Sequence, residues 1–147
     1  MSSPDRSVPR PTVPWLIIGI AMIHTVYAFV TMAGTWGDIV QDGIVDSIGG
    51  DPERESALWF LYAGVGFMAI GTFAYRALRT TGRLPLQVGV YLILVGGTMA
   101  VIDPVSGGPL VLGTGILALA TARSAAPRED RGAPDAAHAT GQPGASR

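Results

Sequence analysis

PTVPWLIIGIAMIHTVYAFVTMAGTWG, residues 11–37, runs without a single Asp, Glu, Lys or Arg. A helix rises about 1.5 Å per residue, so roughly 20 residues cross the ~30 Å of hydrocarbon in a bilayer, and this stretch exceeds that length. Three more charge-free windows follow at 56–75, 84–102 and 104–122. A soluble domain of 147 residues could bury a core, but its helices would each keep a polar face, and these four are apolar or small almost all round. The fold class read from this pattern is all-α: a four-transmembrane-helix bundle with a short amphipathic outer segment between the first and second helices.

The charges sharpen that reading. Only 14% of the residues are charged, against 48% hydrophobic, and nearly all of the charge falls between the apolar windows. The first connection holds Asp38, Asp42, Asp46, Asp51, Glu53 and Glu55 against Arg54 alone, whereas Arg6 and Arg10, Arg76, Arg79 and Arg83, and Arg123, Arg128 and Arg131 occupy the other side of the helices. Basic residues near membrane ends mark the cytoplasmic side, which predicts a multi-pass protein of the inner (plasma) membrane with both termini cytoplasmic and the acidic connection outside. The ten basic residues are all arginine, a usage that fits a GC-rich genome and suggests a bacterium. The absence of cysteine removes disulfides, thiol nucleophiles and cysteine metal sites. The first window is longer than a typical signal core, and keeping it gives the even helix count that the arginines require.

These limits divide the chain into a disordered cytoplasmic leader at 1–13, a membrane domain at 14–123 with helices at about 15–33, 56–78, 85–102 and 107–122, and a disordered cytoplasmic tail at 124–147. Pro14 and Trp15 suit the first turn and the interface of the opening helix. Over 38–48 the acids recur at i, i+4 and i+8 with Val40, Ile44 and Ile48 opposite them, the pattern of a short surface helix with its apolar face inward; an irregular acidic loop is the alternative. Gly64, Gly66, Ala69 and Gly71 make the second long helix slim, as close helix approach in a membrane requires. In the last helix the clean apolar run covers only 110–122, so the 103–109 connection is expected to enter the outer leaflet under the shelter of its neighbours. Thr114, Ala118 and Ala122 form a small stripe suited to a helix contact.

Little in the helices can do chemistry. His24 is the one ionisable group besides tyrosine deep in an apolar window, and an intramembrane histidine raises proton transfer, metal or ligand contact against the simpler role of a hydrogen-bonded structural imidazole. Tyr27 and Thr31 share its face, and Thr98 is a candidate partner across the bundle. Asp38, Asp42 and Asp46 could meet a divalent cation, but a straight row of acids does not converge, and no metal site is assigned. Arg54 with Glu55, beside Asp103 and Ser106, could close an outer pocket by an ion pair. No phosphate loop, nucleotide fingerprint or nucleophile elbow stands in the right context, no cofactor is specified, and the charge balance argues against nucleic acid.

Several residues together resemble a family of small bacterial four-helix membrane proteins with a domain of unknown function, distantly similar to DoxX-like proteins. They are Gly19 with His24 and Thr25, Trp36 and Gly43, Arg54 with Trp59 and Phe60, Leu84 with Pro85, and Pro104 with Ser106 and Gly107. The resemblance spans roughly 14–123 and implies a four-helix bundle and an analogy to membrane redox accessory proteins, although the chain lacks the cysteines that some DoxX-like redox partners use. The expected function is that of a non-enzymatic membrane protein acting through helix packing with lipid or protein partners, as a homo-oligomer or with another membrane protein. Two alternatives stand beside it. One is a small-molecule or quinone-binding redox accessory with an outer-leaflet pocket of His24, Arg54, Trp59, Asp103 and Ser106, and the other is a small transporter subunit.

Overall fold

A computed structural model describes residues 11–124; the first ten residues of the expected leader and nearly all of the expected tail lie outside the described residues, while Thr12 and Val13, expected in the leader, already belong to the first helix. Among the described residues the protein is all-α, with five helices and no strand: α1 (Thr12–Thr31), α2 (Ala33–Gln41), α3 (Pro52–Thr81), α4 (Leu86–Ile102) and α5 (Gly108–Ser124). Two of them, α1 and α3, are long and apolar enough to cross a membrane, and α4 is apolar but shorter.

α3 shows how local sequence sets its bounds. The Asp51 carboxylate accepts from the backbone N–H of Glu53 at 2.9 Å and of Arg54 at 3.3 Å, Pro52 occupies the first turn, and Glu53 and Glu55 place negative charge against the positive end of the helix dipole. Thirty residues later Gly82 adopts φ +68°, the left-handed conformation that closes a helix cheaply only in glycine. The helix thus begins four residues before the charge-free window and carries its first turns clear of it.

α1 and α2 are separated only by Met32. Met32 bends the chain at φ −109°, yet its N–H still donates to Ala28 O, and Trp36 N–H donates to Met32 O. The Thr31 hydroxyl donates to Tyr27 O at 2.6 Å, a back-bond of the kind that bends helices. Beyond α2 the expected helix over 38–48 is not there. Gly43 (φ +88°) and Asp46 (φ +62°) turn left-handed, Ile44 points outward at 73% exposure, and the buried apolar residue of this segment is Ile39. The acidic spacing that suggested one continuous face belongs to a helix end followed by an irregular loop.

The helices pair as two antiparallel hairpins. In the first, α1 lies on α3 along a seam where Pro14, Ala21 and Ala28 are buried on one side and Ala57, Gly64, Gly71 and Leu78 on the other, each set at the seven-residue spacing of helices packed side by side. In the second, α4 lies on α5 with Gly89 and Gly96 of α4 against the α5 backbone and Gly108 and Gly115 of α5 against the α4 backbone. A side chain at Gly89 would meet the Leu119 backbone at 2.8 Å and one at Gly115 the backbone of Ile93 at 2.7 Å, so these glycines are where the two backbones approach. The hairpins meet through a shared core of Val13, Ile17, Ala74, Leu84, Val88, Leu92, Val111 and Ala118. Thr114 is buried beside it, and Ala122 packs against it. Gly66 and Ala69, which looked like part of the slim face of α3, are exposed instead.

Candidate functional site

His24 sits on the stripe of α1 formed by Ile17, Ala21, His24 and Ala28, the face turned to α3. Its imidazole lies flat on Phe60, with centroids 3.8 Å apart and planes 7° from parallel, and Phe67 meets it edge-on at 5.9 Å. Tyr27 adds a tilted contact to Phe60 at 5.7 Å. The ring is thus clamped between aromatic side chains one helix away, not aimed at Thr98, which is exposed and donates to its own Leu94 O. The His24 Nε2 atom is buried and finds no hydrogen-bond partner among the described residues. Leaving such a group unpaired costs about 1–3 kcal/mol.

Arg54 serves the acidic loop. Its Nη2 contacts Asp42 Oδ2 at 2.6 Å, its Nη1 donates to Ser47 O at 2.7 Å, and its Nε lies 3.3 Å from Asp51 Oδ2, so one guanidinium ties the beginning, middle and end of the 42–51 loop to the first turn of α3. The side chain is 17% exposed. The Asp42 carboxylate holds its pKa above the ordinary arginine value, through the hydrogen bond first. The guanidinium fork explains why a single base suffices among six acids.

The remaining expected site residues do not join these two. Trp59 is 69% exposed and meets Tyr62 edge-on. Asp103 ends α4, its N–H donating to Met99 O, while its own carbonyl accepts from the Ser106 hydroxyl at 2.6 Å. That hydroxyl in turn accepts from Gly108 N–H, so Asp103 and Ser106 form the turn that starts α5. Among the described residues no ion pair links Arg54 to Asp103, and no three His, Asp or Glu side chains converge as metal ligands. The five residues grouped by sequence therefore fall into four separate places: His24 in an aromatic clamp, Arg54 in a loop clasp, Trp59 exposed beside Tyr62, and Asp103 with Ser106 in a helix-start turn.

Two features lay outside the sequence reading. Phe60 and Phe67, the partners of His24, stand seven residues apart on α3, and that spacing was the available signal. A cavity of about 210 Å³ opens at the opposite end of the molecule from the acidic loop, lined by Thr12 and Val13 of α1, Leu78 of α3, Leu84, and Leu117 and Thr121 of α5. It arises only where the two hairpins meet, so no local pattern announces it.

Neither the curated proteins nor the solved structures contain a match to this chain. A family model, described as a family of unknown function (DUF6463), matches residues 8–125, and the chain belongs to that family.

Proposed function

We propose that this chain is a non-enzymatic integral membrane protein whose α1, α3, α4 and α5 all cross the bilayer, with the acidic loop outside and the arginine end in the cytoplasm, and that it acts through contacts with lipid or protein partners. The observation that carries this reading is an apolar girth between two charged poles. Large hydrophobic side chains stand exposed on every one of the four helices, among them Ile23 and Val30, Val65 and Phe73, Leu94, and Ile116. Soluble proteins rarely expose contiguous apolar surface on this scale. One pole carries Asp38, Asp42, Asp46, Asp51, Glu53, Glu55 and Asp103 with Arg54, and the other carries Arg76, Arg79, Arg83 and Arg123.

Aromatic pairs mark both ends, Trp15 with Tyr75 below and Trp59 with Tyr62 above, where amphipathic rings favour the headgroup layer. The 17 residues of α4 and of α5 reach about 26 Å each, near the lower bound for a span. α1 has Ile17, Ala21 and Ala28 fully buried, which supports a retained helix over a cleaved leader.

Cysteine labelling tests the topology, because the chain has no native cysteine. Val45→Cys should react with an impermeant maleimide on intact cells and Thr81→Cys only after permeabilisation, with the protein remaining in carbonate-washed membranes. Release by carbonate, or labelling of both positions from one side, refutes the reading.

A second reading has one observation in its favour. The unpaired Nε2 of His24 offers a hydrogen bond to a membrane-soluble ring such as a quinone, although Phe60 already covers one face of the imidazole. A stoichiometric small-molecule adduct in native mass spectra, lost in His24→Phe, would establish it; a wild-type protein that takes up no added quinone would remove it.

A further inference from the structure

We infer that the cavity at the arginine end is a binding site for an anionic phospholipid of the cytoplasmic leaflet, an inference that rests on the membrane reading above. The cavity, about 210 Å³, is too small for a whole lipid and suits the upper part of one acyl chain. Its walls are Val13, Pro14, Leu78, Leu84 and Leu117, with Thr12 and Thr121. Thr12 and Val13 also form the first turn of α1, which has no side-chain cap and no acidic residue, so backbone N–H groups and the positive end of the helix dipole stand at the same place.

Among the described residues the charge around it has one sign. Arg79 directly follows the lining Leu78, Arg83 directly precedes Leu84, and Arg123 lies two residues beyond Thr121. Among the described residues none of these arginines has an ion-pair partner, since every described acid sits at the far pole. An apolar slot for a chain beside guanidinium groups for a phosphate is the arrangement by which basic pockets between membrane helices hold anionic lipids. A zwitterionic lipid has the same phosphate, but its ammonium group would face three arginines, so the preference goes to the lipid with net negative charge.

The test uses the full chain, reconstituted in discs of equimolar phosphatidylglycerol and phosphatidylcholine and released for native mass spectrometry. The wild type should retain one phosphatidylglycerol in clear preference to phosphatidylcholine. The double variant Arg79→Gln/Arg83→Gln, which leaves the core untouched, should retain about thirtyfold less, the change expected for two lost basic contacts at a membrane surface. Leu117→Trp fills the cavity and keeps every arginine, and it should lose the adduct as well. Equal retention of the two lipids by the wild type overturns the inference, as does an undiminished adduct in Leu117→Trp, which would mean attraction to surface charge alone. Correct labelling of Val45→Cys and Thr81→Cys with no lipid preference sinks this inference and leaves the membrane reading standing. Failed labelling sinks both.

Discussion

The two hairpins solve the same packing problem with different means. α1 and α3 meet through side chains: His24 on Phe60 and Phe67, Trp15 on Tyr75, and Thr25 against Gly64. α4 and α5 meet through backbone, with glycines on both helices set against main-chain atoms of the other and with no aromatic pair between them. In the proposed lipid setting, where no hydrophobic driving force acts between helices, close packing has to hold them together, and either large interlocking rings or near-touching backbones can supply it. The difference lies in what can yield. A rotamer can change where a side chain fills the seam, but a backbone cannot move without its whole helix.

That contrast can be broken most directly at Gly96. A Cβ there would fall on the Leu112 backbone, so Gly96→Ala must push α4 and α5 apart, and we expect a loss of about 3 kcal/mol in reversible unfolding from mixed micelles. A loss below that of the matching change in the first hairpin would mean that α4 and α5 are not backbone-packed. The matching change is Gly64→Ala, whose new methyl meets the Thr25 hydroxyl at 2.5 Å but lies 3.6 Å from the nearest Thr25 backbone atom. Because the hydroxyl can rotate away, about 1.5 kcal/mol is expected in the same measurement.

His24→Phe sharpens the account of the first seam. It keeps a ring between Phe60 and Phe67 and removes the unpaired nitrogen, so stability should rise by about 1 kcal/mol. A fall instead would show that the imidazole has a bonding partner worth more than its desolvation. The smallest global effect belongs to Arg54→Gln, outside the seams altogether. Limited proteolysis should become several times faster within 42–51 as the loop loses its clasp, with the helix content unchanged. Equal cutting rates would show that Gly43 and Asp46 hold the loop shape without Arg54.

Much of the fold was legible from charge-free length alone, because the apolar windows map onto four of the five helices. Their ends were less so. The start of α3 at Pro52 was written in the Asp51-Pro52 pair, a cap followed by a first-turn proline, but the hydropathy window begins only after Glu55 and drew the boundary there. The 38–48 segment failed for another reason. Its i, i+4 periodicity is real, yet a glycine in the left-handed region and the pull of Arg54 on Asp42 outweigh a weak local preference. Among the site residues, His24 was found from its position, while its setting between Phe60 and Phe67 depends on the register of α1 against α3. The grouping of Arg54 with Asp103 joined two loops that share a pole but make no ion pair, something that charge alone cannot reveal.

The unequal lengths of the hairpins carry a last consequence. The 30 residues of α3 reach about 45 Å, against about 26 Å for each helix of the second hairpin, so the molecule is tall on one side and short on the other. Under the proposed membrane placement only the charge-free part of α3, residues 56–75, lies in hydrocarbon and spans about 30 Å, so lipids beside α4 and α5 would thin by a few ångströms, or the protein would tilt, to meet the shorter pair. In that placement either response would set a gradient of bilayer thickness around a single chain and favour places where the surrounding membrane is already thin.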